Sequence, residues 1–170
     1  FGVSVIRHND TYVLIDYGSH GGWHGHYDKL NVEITLNDSN LFVDPGTVEY
    51  SLPSSSEWYR NSFAHSLPFI DNRNQPETSG KMISYNFSSN MSFVIAQYTD
   101  DMVKTNVTRL VLVLSTLQYG DIVLDASQWS GQIECNVTQT YHFENTLPVI
   151  VDENYIPPQR FLGLGNYAQV

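Results

Sequence analysis

An all-β fold, an antiparallel two-sheet β-sandwich, is predicted for this chain by three observations. Short segments alternate apolar and polar residues with period two and favour β-branched and aromatic side chains. Clusters of Asn, Asp, Ser, Gly and Pro separate them, and no stretch keeps a 3.6-residue period over ten or more positions. Antiparallel strands at such spacing pack as two sheets. The 170 residues suit one domain (1–170), and contents of 41% hydrophobic and 13% aromatic exclude disorder. No apolar run approaches the roughly 18 residues of a membrane span.

The strands expected in order are Gly2–Arg7, Tyr12–Tyr17, Lys29–Leu36, Leu41–Asp44, Ser92–Tyr98, Val107–Leu117, Asp121–Asp125 and Gln132–Phe143. "LNDSNL" between Leu36 and Leu41 and "QYGD" before Ile122 carry hairpin chemistry, because Asn, Asp and Gly accept the left-handed backbone of tight turns. "SSSEWYRNSFA" is predicted to hold one short helix with a Ser cap before Glu57. Cys135 is alone, which excludes an internal disulfide, and is expected as a buried thiol. The Pro- and Gly-broken end from Glu144 to Val170 is expected to be peripheral. A chain opening on Phe1, with "FGVSVIR" already strand-like, reads as a piece of a longer protein.

A net charge of −10 with eight Lys and Arg disfavours nucleic acid and anionic membranes, whose phosphates need a cationic surplus. A polyanionic substrate needs only a local cluster, and Arg60 and Arg73 lie near the histidine-bearing segments. Six Asn-X-Ser/Thr triplets begin at Asn9, Asn37, Asn86, Asn90, Asn106 and Asn136, a number that Asn-, Ser- and Thr-rich composition produces without glycosylation.

The densest polar chemistry is "GGWHGHYDKL". If extended, it puts His24, His26 and Asp28 on one face, in parity with Leu30, Val32 and Ile34. Imidazoles entering a core edge need partners, since an unpaired buried polar group costs about 1–3 kcal/mol. A divalent metal such as zinc would supply one, although His-X-His also fits a surface pair in a glycine-rich loop. In "LFVDPGTVEY" the Pro45–Gly46 turn fixes Asp44, as a turn cap or as a ligand. In "WYRNSFAHS", His65 sits in an apolar setting. His26, Asp44 and His65 make a two-histidine, one-carboxylate set, but spacings of 18 and 21 residues do not show convergence.

Taken in order, "GVSVIR", "YVLIDYG", "HGHYDKLNVEI", "LFVDPGTVEY", "EWYRNSFAHS" and "FIDNRNQ" resemble the β-domain of heparinase II/III-like polysaccharide lyases, over residues 1 to about 75. Later strands such as "VTRLVLVLS" and "GDIVLDAS" are similar in pattern only. The resemblance implies β-elimination of uronate-containing polysaccharides, heparan sulfate or alginate among them, between this sandwich and an N-terminal helical toroid. It implies a structural zinc (Zn2+) on His26, Asp44 and His65, with His24 facing the cleft. An isolated sandwich would be inactive.

On that resemblance the catalytic candidates are His24 and Tyr50, and the substrate-binding candidates are Arg60, Trp23 and Tyr59. Each has a plainer role open: packing for the tyrosines, a salt bridge to Asp44 or Glu57 for Arg60, and a cover over the metal for Trp23. Asp28 is expected to support the turn or one imidazole. Ser66 stands where the family usually has Asn. The expected partners are an acidic polysaccharide or oligosaccharide and the toroid, with no nucleic acid and no membrane span, in a periplasmic or secreted setting. Two other readings remain open, a non-catalytic carbohydrate-binding or structural module and a uronate C5-epimerase.

Overall fold

In the computed structural model, which describes residues 2–131 and 134–144, two four-stranded antiparallel sheets face each other. The first has the order β1 (Val3–His8), β2 (Thr11–Asp16), β3 (Val32–Leu36), β4 (Ser39–Phe42). The second has the order β6 (Lys81–Asn86), β7 (Met91–Asp100), β8 (Thr105–Thr116), β9 (Gly120–Gly131). A two-stranded ribbon pairs β5 (Pro68–Ile70) with β10 (Val137–Gln139). The all-β sandwich expected from the alternation is the fold observed, and among the described residues no helix is long and apolar enough to cross a membrane.

Period two places the core. Val13 and Ile15 of β2 and Val32 and Ile34 of β3 meet Val94, Ala96 and Tyr98 of β7 and Val107, Val111 and Val113 of β8 in one buried cluster. Each fully buried aliphatic side chain there contributes about 1.5–3 kcal/mol. The β3–β4 turn has Asn37 and Asp38 both at positive φ (50° and 59°), the backbone that matches strand twist in a two-residue hairpin. Gly120 at φ 72° serves the β8–β9 turn, and the β8–β9 ladder then runs in unbroken register from Thr116↔Gly120 to Thr105↔Gly131.

Several expectations are corrected. β3 starts at Val32 and not Lys29, because Leu30 turns left-handed at φ 66° and ends the extended run. β4 stops at Phe42, leaving Asp44 in the following loop. The short helix is a π turn, Ser55–Tyr59, followed by a 3₁₀ turn, Ser62–Ala64, and no side-chain cap is formed at Ser54. Strand β10 covers only part of Gln132–Phe143, of which 132–133 fall outside the described residues. Cys135 is half-buried against the core rather than in a strand. The segment 145–170, expected as a peripheral tail, also lies outside the described residues. β5 and β6 were not visible in the pattern: all three residues of β5 are buried and nearly all of β6 is exposed, so neither alternates.

Candidate functional site

Two long connections of the first sheet meet at one end of the sandwich: residues 17–31 between β2 and β3, and residues 43–67 between β4 and β5. Their backbones are stitched together. Tyr27 N donates to Arg60 O (2.9 Å), Val32 N to Ser66 O (3.1 Å), and Ser62 Oγ to Tyr27 O (2.7 Å). Asn31 ties both sides: its Nδ2 donates to Asp44 Oδ2 (2.9 Å) and its Oδ1 accepts Ser66 N (2.8 Å).

The glycines of "GGWHGHYDKL" have separate reasons. Gly22 occupies φ 63° at the start of a 3₁₀ turn, Gly22–His24. A Cβ on Gly25 would lie 2.5 Å from Gly21 N and 2.9 Å from His20 Nε2, so the loop closes only without one. The segment is therefore not extended, and the shared face expected for His24, His26 and Asp28 does not exist. His24 is exposed; His26 and Asp28 turn inward.

The inward pair meets His65. Among the described residues, His26, Asp28 and His65 bring one donor atom each within 4.8 Å of one another. The His26 and His65 rings are 5.3 Å apart. Asp44 joins through His65, whose Nδ1 lies 2.6 Å from Asp44 Oδ2, while Asp44 Oδ1 accepts Gly46 N (2.8 Å) from the Pro-Gly turn. A carboxylate accepts only, so Nδ1 is a protonated nitrogen, and in the neutral ring Nε2 carries the lone pair. That Nε2 is buried and has no hydrogen-bond partner. An orphaned imidazole nitrogen beside a second imidazole and a carboxylate is a donor set that zinc accepts.

The electrostatics favour the ligand form of His26 and Asp44. Burial, with the neighbouring His65 and Arg60, holds His26 below the ordinary imidazole value against the pull of Asp28 and Asp44. Burial pushes Asp44 up, but the hydrogen bond and charge of His65, the Gly46 N–H and His26 outweigh it and leave the carboxyl below its ordinary value.

The expected cleft residues separate into two groups. His24 and Tyr50 come together, their rings 4.9 Å apart edge to face, with Tyr50 half-exposed. Arg60 spends Nε on Gly25 O (3.0 Å) and, among the described residues, makes no ion pair, so neither expected salt bridge forms. Tyr59 is half-buried in the π turn. Trp23 is 91% exposed among the described residues, so no cover over the His26–His65 cluster is formed by it there. Arg73 is engaged with Asp100 (2.7 Å).

The family is now decidable. A profile described as "Heparinase II/III-like, C-terminal" matches residues 1–86 of the 170. The chain belongs to that family. Its fold is also similar to a solved heparinase III (TM-score 0.69, 21% identity, covering 86% of this chain and 23% of that one). A heparan sulfate lyase, HepC from Pedobacter heparinus, aligns with TM-score 0.59 and 19% identity, covering 75% of this chain and 20% of that one. The chain thus spans about a quarter of the length of these structures. Among curated proteins no match is found.

Within this heparinase II/III-like domain, His20 and Gln75 escaped the sequence reading, and Ser66 acquires a role that reading left open. Ser66, in the usual Asn position, accepts His142 N on Oγ (2.9 Å) and so ties the His65 loop to the strand-like segment after β10. His20 stacks on Tyr27 (4.9 Å) and donates Nδ1 to His26 O (3.1 Å), anchoring the His26 backbone. Gln75 mimics a strand by bonding both backbone groups of Lys29 (2.8 and 2.9 Å). Lys29 in turn pairs with Asp28. A lone Gln or His in a loop gives no pattern to read, which is why these were missed.

Proposed function

We propose that this chain is the zinc-bearing β-sandwich of a polysaccharide lyase that cleaves uronate-containing polysaccharides by β-elimination, outside the cytoplasm in a periplasmic or secreted setting. The observation that carries the reading is the pairing of exposed His24 with Tyr50, two residues from an inward His26 whose ring lies 5.3 Å from that of His65, a residue with an orphaned Nε2. Zinc, when bound, supplies a fixed positive centre that immobilises the imidazoles holding it. His26 and His65 provide the nitrogens, and Asp44 acts on His65 either as a direct ligand or as the carboxylate that fixes its ring, with Asp28 beside both.

The chain's own residues then divide the work. His26, held and depressed in basicity, is a poor proton carrier, whereas His24 stands free on the same loop. Elimination needs the C5 proton removed, its electron pair forming the C4–C5 double bond while the C4–O4 bond breaks and O4 takes a proton. His24 removes that proton or neutralises the uronate carboxylate that makes it acidic, and Tyr50 stands within reach of the same space. Arg60, with Nη1 and Nη2 uncommitted to any carboxylate, suits a substrate carboxylate or sulfate, and Trp23 and Tyr59 offer rings to a sugar. The opposite wall belongs to a helical toroid.

The test uses the intact protein and an acidic polysaccharide, following the ultraviolet absorbance of the unsaturated uronate. His24→Ala should lower kcat by about 10²–10⁴-fold with zinc content unchanged. An unaltered rate rejects His24 as a cleft residue, and a C5-inverted product without a double bond assigns an epimerase instead. Asp44→Asn keeps an acceptor for His65 Nδ1 while removing the charge. Zinc retained within about 100-fold of wild type gives Asp44 the orienting role, and complete loss makes it a ligand.

A further inference from the structure

Arg109 is fully buried on the core face of β8, in parity with Val107, Val111 and Val113, and on the sheet opposite to the site loops. Taking a guanidinium out of water costs several kcal/mol unless every donor is met. Here the charge is met by Asp125 of β9 in a two-pronged bond (Nε to Oδ1 2.7 Å, Nη2 to Oδ2 2.5 Å), and Asp125 also accepts Tyr141 OH (2.9 Å). The remaining group, Nη1, donates to two backbone carbonyls, Leu30 O (2.7 Å) and Ser66 O (2.6 Å). Leu30 follows Asp28 by two residues and Ser66 follows His65 by one.

A second observation converges on the same atom. Leu30 is buried and non-glycine yet sits at φ 66°, a strained conformation that survives only where the surroundings over-determine it. Its N–H donates to Asp16 O (2.6 Å) and its carbonyl is held by Arg109. The left-handed turn at Leu30 is what ends the loop and directs Asp28 inward rather than along β3.

We propose that Arg109, held in orientation by Asp125, is a positioning residue for the metal site: one nitrogen clamps the two loops that carry Asp28 and His65, fixing their separation from the far sheet. This rests on the zinc reading above. A lysine in its place has the charge but neither the fork for Asp125 nor a geometry that spans two carbonyls.

The experiment compares wild type, Arg109→Lys, Asp125→Asn and the core control Val111→Ala. Three readouts are taken: zinc dissociation constant by chelator competition, thermal midpoint of the metal-free protein, and amide hydrogen exchange. Arg109→Lys should weaken zinc by about 10–100-fold and speed exchange at Asn31–Val32 and Ser66–Leu67 while the β8–β9 ladder stays protected. Asp125→Asn should do the same to a smaller degree, and serves where Arg109→Lys does not fold. Val111→Ala should lower the midpoint without moving zinc affinity. Zinc affinity within threefold of wild type in both clamp variants, or an equal loss in Val111→Ala, overturns the proposal. If wild type itself takes no zinc, the metal reading fails and exchange decides this one: unchanged protection at both loop segments in both clamp variants rejects the clamp.

Discussion

Two buried histidines at different places in the sandwich differ in one respect, and that respect separates a structural pin from a ligand. His8, at the end of β1, has both nitrogens occupied: Nδ1 by Ser115 Oγ (2.8 Å) and Nε2 by Ser92 Oγ (2.7 Å), with Ser115 Oγ donating its own hydrogen bond to Asp121 Oδ1 (2.5 Å). His65 has Nδ1 on Asp44 and Nε2 on nothing. A buried polar atom without a partner costs about 1–3 kcal/mol, and the cost is retained at His65 beside a second imidazole and a carboxylate. Burial alone does not mark a functional histidine, and neither does an unspent nitrogen alone, since His20 Nε2 is also buried without a hydrogen bond; His65 is set apart by an unspent nitrogen within a cluster of a second imidazole and a carboxylate.

The sharpest way to break this contrast is to remove each ring. His65→Ala should abolish zinc binding, seen as metal below stoichiometric detection after dialysis. His8→Ala should leave zinc at wild-type level but destabilise the fold by about 1–3 kcal/mol, because the Ser92 and Ser115 hydroxyls lose their partner across the two sheets; a denaturant midpoint measures it. Equal zinc loss in both variants would collapse the distinction.

A smaller effect is expected from pH in the metal-free protein. The folded-state value of His26 lies below 6.5, so the unfolded chain takes up the proton first as pH falls; stability should drop from about pH 6.5 downward and level off once the folded His26 is protonated. Asp44 is also depressed, so its stabilisation is complete above about pH 4 and is lost as pH falls further. His26→Gln should flatten the first of these slopes, measured by urea unfolding at stepped pH, and an unchanged slope would contradict the assignment. The smallest effect belongs to Trp23→Ala: a side chain 91% exposed should change stability by less than about 0.5 kcal/mol, and any loss of the proposed activity in the intact protein should appear in KM alone.

The same contrast explains what could be read from the chain. Period two is a strong signal where one face is buried, so β1, β2, β7 and β8 were legible, and turn chemistry located both hairpins. It failed where a residue left the extended region: Leu30 at φ 66° and the 3₁₀ turn at Gly22–His24 broke the parity that had placed His24, His26 and Asp28 on one face. His24 and Tyr50 were named together from motifs, yet only the loop geometry puts their rings in contact. Arg109 was legible and unread, since "VTRLVLVLS" puts a charge in parity with three valines, and a charge on an apolar face demands partners. The partners themselves, carbonyls of Leu30 and Ser66, were invisible because backbone groups carry no sequence.

The most direct measurement of the central claim is zinc per chain, by elemental analysis after exhaustive dialysis, for wild type, His8→Ala and His65→Ala purified side by side. The prediction is stoichiometric zinc in wild type and in His8→Ala and none in His65→Ala. Zinc absent from wild type, or present in His65→Ala at the wild-type level, would contradict the reading of the unspent nitrogen as a ligand.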